Sequence, residues 1–121
     1  MTVRGIRGAI TAGENEQRAI VEATGRLLRE IVSANAVEIN DIAAVFFTTT
    51  ADLNAAFPAT AARELGWTDV PLLCGHEMAV AEALGRCIRV MMLVNTETPQ
   101  DRIRHVYLDG AASLRPDLAA G

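Results

Sequence analysis

The sequence contains no lysine: each of its eleven basic residues is an arginine. That excludes a lysine Schiff base and the lysine of a phosphate-binding P-loop, both of which need an ε-ammonium. A glycine-rich phosphate loop is also missing, since GIRGAI offers two glycines three apart and no GK[ST]. Aromatic residues make up only 4% of the chain while half of it is apolar, so the core has to be assembled from Ala, Val, Leu, Ile and Met. Cys74 and Cys87 are the only cysteines. They are too far apart for a CxxC pair and form no zinc spacing with His76 and His105, which leads to an expectation of free thiols and no metal. No stretch approaches the roughly 20 apolar residues of a membrane span, and no basic region followed by a long apolar run opens the chain, so the expected location is the cytoplasm. A formal charge of -4 and a pI near 5.1 provide no basic field, which argues against nucleic acid or an anionic membrane as a partner.

With 121 residues and no linker, repeat or low-complexity segment, the chain is expected to form one domain over residues 1–121. So apolar a composition in so small a domain predicts burial against copies of itself, hence a homo-oligomer. Residues 3–10 read as a strand. Glu14 to about Asn35 reads as an amphipathic helix with Ile20, Ala23, Leu27, Leu28, Ile31 and Val32 on one face. Asn40 can cap a single helical turn before AAVFFTTT, whose β-branched and aromatic content suits a strand at about 44–50. Pro58 suits the first position of a two-turn helix that stops at Gly66. VPLLC reads as a short strand, AVAEALG as a helical turn or two, CIRVMMLVN as the central strand, and RIRHVYL as a last strand, with ASLRPDLAAG irregular around Pro116. Strands alternating with short helices indicate an α+β domain, a mixed sheet with helices on one face and an oligomer interface on the other.

Arg89 raises the sharpest chemical question, because it interrupts CIRVMMLVN, which reads as a strand buried on both faces. A guanidinium there requires a carboxylate partner or an anionic ligand. Arg7 raises the same question in VRGIRGAI, between Gly5 and Gly8. Two cations on strands, each able to bind a carboxylate as a bidentate fork, point to a pocket for a small polyanion. Thr60 and Arg63 share a helical face near Phe57, although the pattern alone favours Arg63 as a solvated surface residue paired with Glu64 or Asp69. Glu77, after CGH, is as consistent with a loop acid as with a cleft residue. Tyr107 reads first as a core residue. His76 and His105 have no Ser or Cys partner at a diagnostic spacing and are assigned to structure, while nothing marks Cys74 as an activated nucleophile. A set of Arg, Glu and Tyr without nucleophile or metal suits binding and electrostatic catalysis.

With these residues in view, the chain resembles the AroH class of chorismate mutases over nearly its whole length. RGIRGAIT, DLNAAFPATAAREL and CIRVMMLVNTETPQDRIRHVYLDGAASLRPDL carry the resemblance, through their order and spacing together. It implies a homotrimer with a pseudo-α/β-barrel assembly and sites between adjacent subunits, where chorismate rearranges to prephenate in a [3,3] shift without cofactor or covalent intermediate. Carried over by position, Arg89 would contact the ether oxygen and a substrate carboxylate, Arg7 and Tyr107 would hold the enolpyruvyl carboxylate, and Glu77 would accept from the ring hydroxyl with Cys74 beside it. Phe57, Ala59, Val70 to Leu73 and Leu114 would supply apolar walls. Arg63 and Arg115 would lie near the mouth, Arg115 on a mobile tail over 114–121. Members of the family can carry a lysine where this chain has Thr60, so a cation that could attract the ring carboxylate has no counterpart at that position. Two other classes remain open on sequence: a trimeric RidA-like enamine deaminase, which would also use an intersubunit arginine, and a non-catalytic trimeric metabolite-binding module.

Overall fold

A computed structural model describes residues 1–81 and 83–114. Its strands are β1 (Thr2–Thr11), β2 (Ile42–Thr49), β3 (Leu72–His76), β4 (Cys87–Thr96) and β5 (Val106–Tyr107), and its helices are α1 (Gln17–Asn35) and α2 (Ala59–Glu64). The strands form one mixed sheet in the order β3-β2-β4-β1-β5. β4 is central and antiparallel to both β1 and β2, whereas β3 runs parallel to β2 and β5 parallel to β1. This is the α+β arrangement expected, with α1 lying on the face that carries Ile6, Ile10, Val45, Phe47, Val90 and Met92.

Strand alternation sorts the sheet into two faces. In β4, Ile88, Val90, Met92 and Val94 are buried, while Arg89 and Leu93 are half-buried and Met91 is exposed. The strand is therefore buried on one face within the chain, not on both as the apolar residues around Arg89 suggested. The uncovered face carries Val3, Phe46, Leu73 and Met91, at 53%, 40%, 62% and 37% exposure.

α1 follows from its periodicity. Its buried stripe of Ile20, Val21, Thr24, Gly25, Leu27, Leu28 and Ile31 faces the sheet, with Ala23 and Val32 partly buried beside it. The helix starts at Gln17 rather than Glu14 because Glu16 caps it, accepting from the Arg18 backbone N–H at 3.1 Å. It ends in the left-handed Ala36. Gly8 sits opposite, where a Cβ would lie 2.7 Å from Ile31 Cδ1 and 3.2 Å from the Val106 carbonyl, so glycine is what lets α1 and β5 close on β1.

Several local expectations are corrected. Asn40 lies inside a 3-10 turn, Ile39–Asp41, rather than capping it. Pro58 occupies the N-cap of α2, which ends at Glu64, with Gly66 two residues beyond at φ 86°. Among its described residues, AVAEALG forms no helix: Ala79, Val80, Ala81 and Ala83 are exposed, and so short a helix burying only Leu84 does not offset the cost of nucleation. RIRHVYL pairs only at Val106 and Tyr107, because side chains take the earlier backbone groups. Asn35 bonds both the N–H and the carbonyl of Arg104, and His105 Nδ1 accepts from the Arg7 N–H at 2.9 Å. Ala112 to Leu114 belong to a 3-10 helix, Asp109–Leu114, rather than to an irregular tail. Arg115 and the rest of the expected mobile tail lie outside the described residues.

Candidate active site

The pairing register draws Gly75, Thr48, Arg89, Ala9 and Tyr107 into one row across all five strands. The next row on the same face is Leu73, Phe46, Met91 and Arg7. Arg7, Arg89 and Tyr107, far apart in sequence, thus share the uncovered face, and Ala9 separates Arg89 from Tyr107 with a single methyl group. Tyr107 is buried among Ala9, Cys87 and Ala111, with Leu84 and Leu114 packed beside it. The core role expected of its ring holds, at the edge of the arginine row.

Glu77 reaches this row from the end of β3. Its backbone N–H donates to the Thr49 carbonyl at 2.7 Å, and Thr48 Oγ1 donates to its Oε2 at 2.8 Å. The same Oε2 stands 3.6 Å from Arg89 Nε, an ion pair too long for a hydrogen bond, and both side chains are about a third exposed. Arg89 Nε itself is buried and, among the described residues, has no hydrogen-bond partner. The Glu77 carboxyl is held below the usual carboxylate range, first by the Thr48 hydroxyl, then by the Met78 N–H and the charges of Arg89 and Arg7, against the opposing effect of burial. Burial pushes the Cys87 thiol up, only partly offset by Arg89 beside it. Both cysteines are free, and among the described residues no three His, Cys, Asp or Glu side chains are grouped to hold a metal ion.

A second constellation lies elsewhere. Phe57, Thr60 and Cys74 line a cleft of about 460 Å³ together with Gln17, Asn54 and His76. Phe57 is 71% exposed at its rim. Cys74 is thus on the α-helical side of the sheet, packed against the core, while Leu73 faces the arginine side; the expected placement of Cys74 beside Glu77 is not what alternation in β3 produces. Ala59 and Val70 are buried in the main core. Arg63 is exposed and its side chain has no hydrogen bond or ion pair among the described residues, and Glu64, offered above as its partner, pairs with Arg18 at 3.0 Å. The sequence-level candidates therefore divide into an arginine face (Arg7, Glu77, Arg89, Tyr107) and a Phe57 cleft (Phe57, Thr60, Cys74).

Thr48, Thr50 and Asp52 were not singled out from sequence. Asp52 accepts from the Thr50 hydroxyl and from the Arg86 N–H at 2.9 Å, and Thr50 Oγ1 accepts from the Cys87 N–H at 3.0 Å, which pins the start of β4 two residues before Arg89. Their importance lies in pairing register, for which TTTADL carries no signal.

Comparison with known proteins decides among the readings left open by sequence. The family described as chorismate mutase type I matches residues 3–118. The chain belongs to that family. It is 55% identical over 117 residues to chorismate mutase AroH of Thermus thermophilus, covering 96% of each chain, and 48% identical over 120 residues to chorismate mutase AroH of Bacillus subtilis, covering 98% of this chain and 94% of that one. Its structure superposes on the chorismate mutase from Clostridium thermocellum with a TM-score of 0.89 at 49% identity, over 90% of this chain and 97% of the other. The sheet is thus that of a chorismate mutase, and family membership makes the chain an isomerase.

Proposed function

We propose that the chain rearranges chorismate to prephenate, in the cytoplasm and on the route to phenylalanine and tyrosine, at sites completed by neighbouring subunits of a homotrimer. The observation that carries the reading is Arg89: a guanidinium on an open sheet face, whose buried Nε has no hydrogen-bond partner among the described residues and stands 3.6 Å from Glu77 Oε2. Such a group has capacity left for an anionic ligand.

The rearrangement breaks a C–O bond while it forms a C–C bond, so negative charge grows on the ether oxygen. Arg89 directed at that oxygen stabilises the transition state more than the ground state. Arg7 and Tyr107 would hold the enolpyruvyl carboxylate, and Glu77, kept ionised, would accept from the ring hydroxyl. Gripping both reacting arms in a compact chair removes unproductive rotamers. An acceleration of roughly 10⁶-fold asks for about 8 kcal/mol, within reach of conformational restriction and one charge-assisted contact together. No proton transfer is required, and no cofactor is invoked.

The arginine face and the Phe57 cleft lie on different sides of the sheet, which supports a site assembled from two chains. One chain would provide Arg7, Glu77, Arg89 and Tyr107, with Leu114 and Arg115 at the edge. Its neighbour would provide Phe57 and Arg63. Loss of chorismate absorbance with purified protein, followed by acid conversion of the product to phenylpyruvate, tests the activity. Saturable binding without turnover would leave only a binding module.

A further inference from the structure

We infer that Thr48 is a positioning residue that holds Glu77 off Arg89 and so keeps the guanidinium open to substrate. Thr48 is the Cα partner of both Gly75 on β3 and Arg89 on β4, so it stands in the middle of the row, between the strand that leads into Glu77 and the strand that carries the cation. Directly opposed residues in an antiparallel pair project to the same face. The Thr48 hydroxyl therefore meets Glu77 Oε2 at 2.8 Å, while the same oxygen remains 3.6 Å from Arg89 Nε.

An aspartate or glutamate this close to an arginine ordinarily closes to about 2.7–2.9 Å, with the guanidinium fork satisfied. Here the Thr48 hydroxyl on Oε2 and the Met78 N–H on Oε1 anchor the carboxylate short of that closure. Among the described residues, the groups that face Glu77 are Thr48 on β2, Arg89 and Cys87 on β4, Arg7 on β1 and the backbone N–H of Met78, with Asp52 lining a separate surface pocket together with Glu77. Of the contacts that favour its charged form, the Thr48 hydroxyl acts most strongly, ahead of both arginines. A carboxylate freed from Thr48 would find Arg89 as its nearest cation, and a closed pair would withdraw the guanidinium from the ether oxygen. The inference rests on the reading of Arg89 and Glu77 given above.

The test compares Thr48→Val, which keeps the β-branched shape and deletes the hydroxyl, with Thr48→Ser, which keeps the hydroxyl. Valine is expected to lower kcat roughly 10- to 100-fold, the scale of one hydrogen bond to a charged group. Serine should restore most of it, a rescue that general loosening of the strand would not produce. In a Glu77→Gln background the Thr-to-Val step should cost little further, because Thr48 acts through the carboxylate. The crystal structure of Thr48→Val provides a readout independent of turnover, with Glu77 expected within hydrogen-bond distance of Arg89. A carboxylate still more than 3.5 Å away, or an equal loss with and without Glu77, overturns the inference. Absence of chorismate turnover in the wild-type protein would overturn the functional reading instead, and the crystal structure would still decide the role of Thr48.

Discussion

Arg89 and Glu77 are held close enough to feel each other's charge and far enough apart to act separately on a substrate. Arg89→Lys tests whether charge alone suffices. An ammonium has no planar fork to span an ether oxygen and a carboxylate together, so the variant is expected to fold and to lose at least roughly 10²-fold in kcat, measured by steady-state kinetics. Near-normal kcat would remove Arg89 from the chemical step. The pH profile reports on Glu77. Its pKa is lowered in the folded chain, so its ionised contribution is complete above the ordinary carboxylate range and disappears only as the pH falls through the depressed value. Asp52, lowered mainly by the Thr50 hydroxyl and the Arg86 N–H, behaves in the same sense and ties acid loss of the β4 entry to the same limb. kcat should therefore be flat across neutral pH and decline only on the acid side. His76→Ala should leave that plateau intact, whereas a bell-shaped profile that vanished with His76 would assign it acid-base work.

At the scale of elements, the close approach of α1 to β1 depends on one missing side chain. Gly8→Ala would drive a methyl against Ile31 and Leu27, both fully buried, and against the Val106 carbonyl, at a cost of about 1–3 kcal/mol in urea unfolding. Gly75→Ala is the contrast: nothing lies within 4 Å of its Cβ, and stability should be unchanged or slightly higher. The sequence made α1 legible because a 3.6-residue apolar period over five turns has few other solutions, and β4 legible because apolar residues flank Arg89 on both sides. It misled where an element's existence depends on a distant partner. AVAEALG has helical residues but, among those described, packs only Leu84 against the rest of the chain, and RIRHVYL has strand residues whose backbone groups are taken by Asn35 and bypassed toward Arg7 by His105. Of the site, Arg89 and Arg7 stood out as cations in apolar strands. Thr48 did not, since its role comes from standing opposite Arg89 and beside Glu77, and register is not written in local composition.

On the scale of the whole molecule, the apolar residues left exposed are not scattered. Phe46, Leu73 and Met91 belong to one row, with Val3 further along the same face, and such a patch on so small a chain calls for a covering partner. Copies of the chain fit the expectation of a closed ring, in which each arginine face meets a neighbour's Phe57 cleft. Met91→Glu would bury a carboxylate in that interface without touching the core, so it should yield a folded monomer by sedimentation and abolish turnover along with assembly. Hybrid assembly asks the finer question of whether sites are shared. Arg89→Lys disables the arginine face, and Phe57→Asp, at a position 71% exposed in the single chain, sets a negative charge where a dianionic substrate would enter. If each site draws on two chains, unfolding the two inactive proteins together and refolding them as a mixture should restore activity at roughly a quarter of the sites by random assortment, since one pairing in such a ring joins two intact halves. Sites contained within single chains would stay inactive in every mixture, and that result would show the arginine face to be complete without its neighbour.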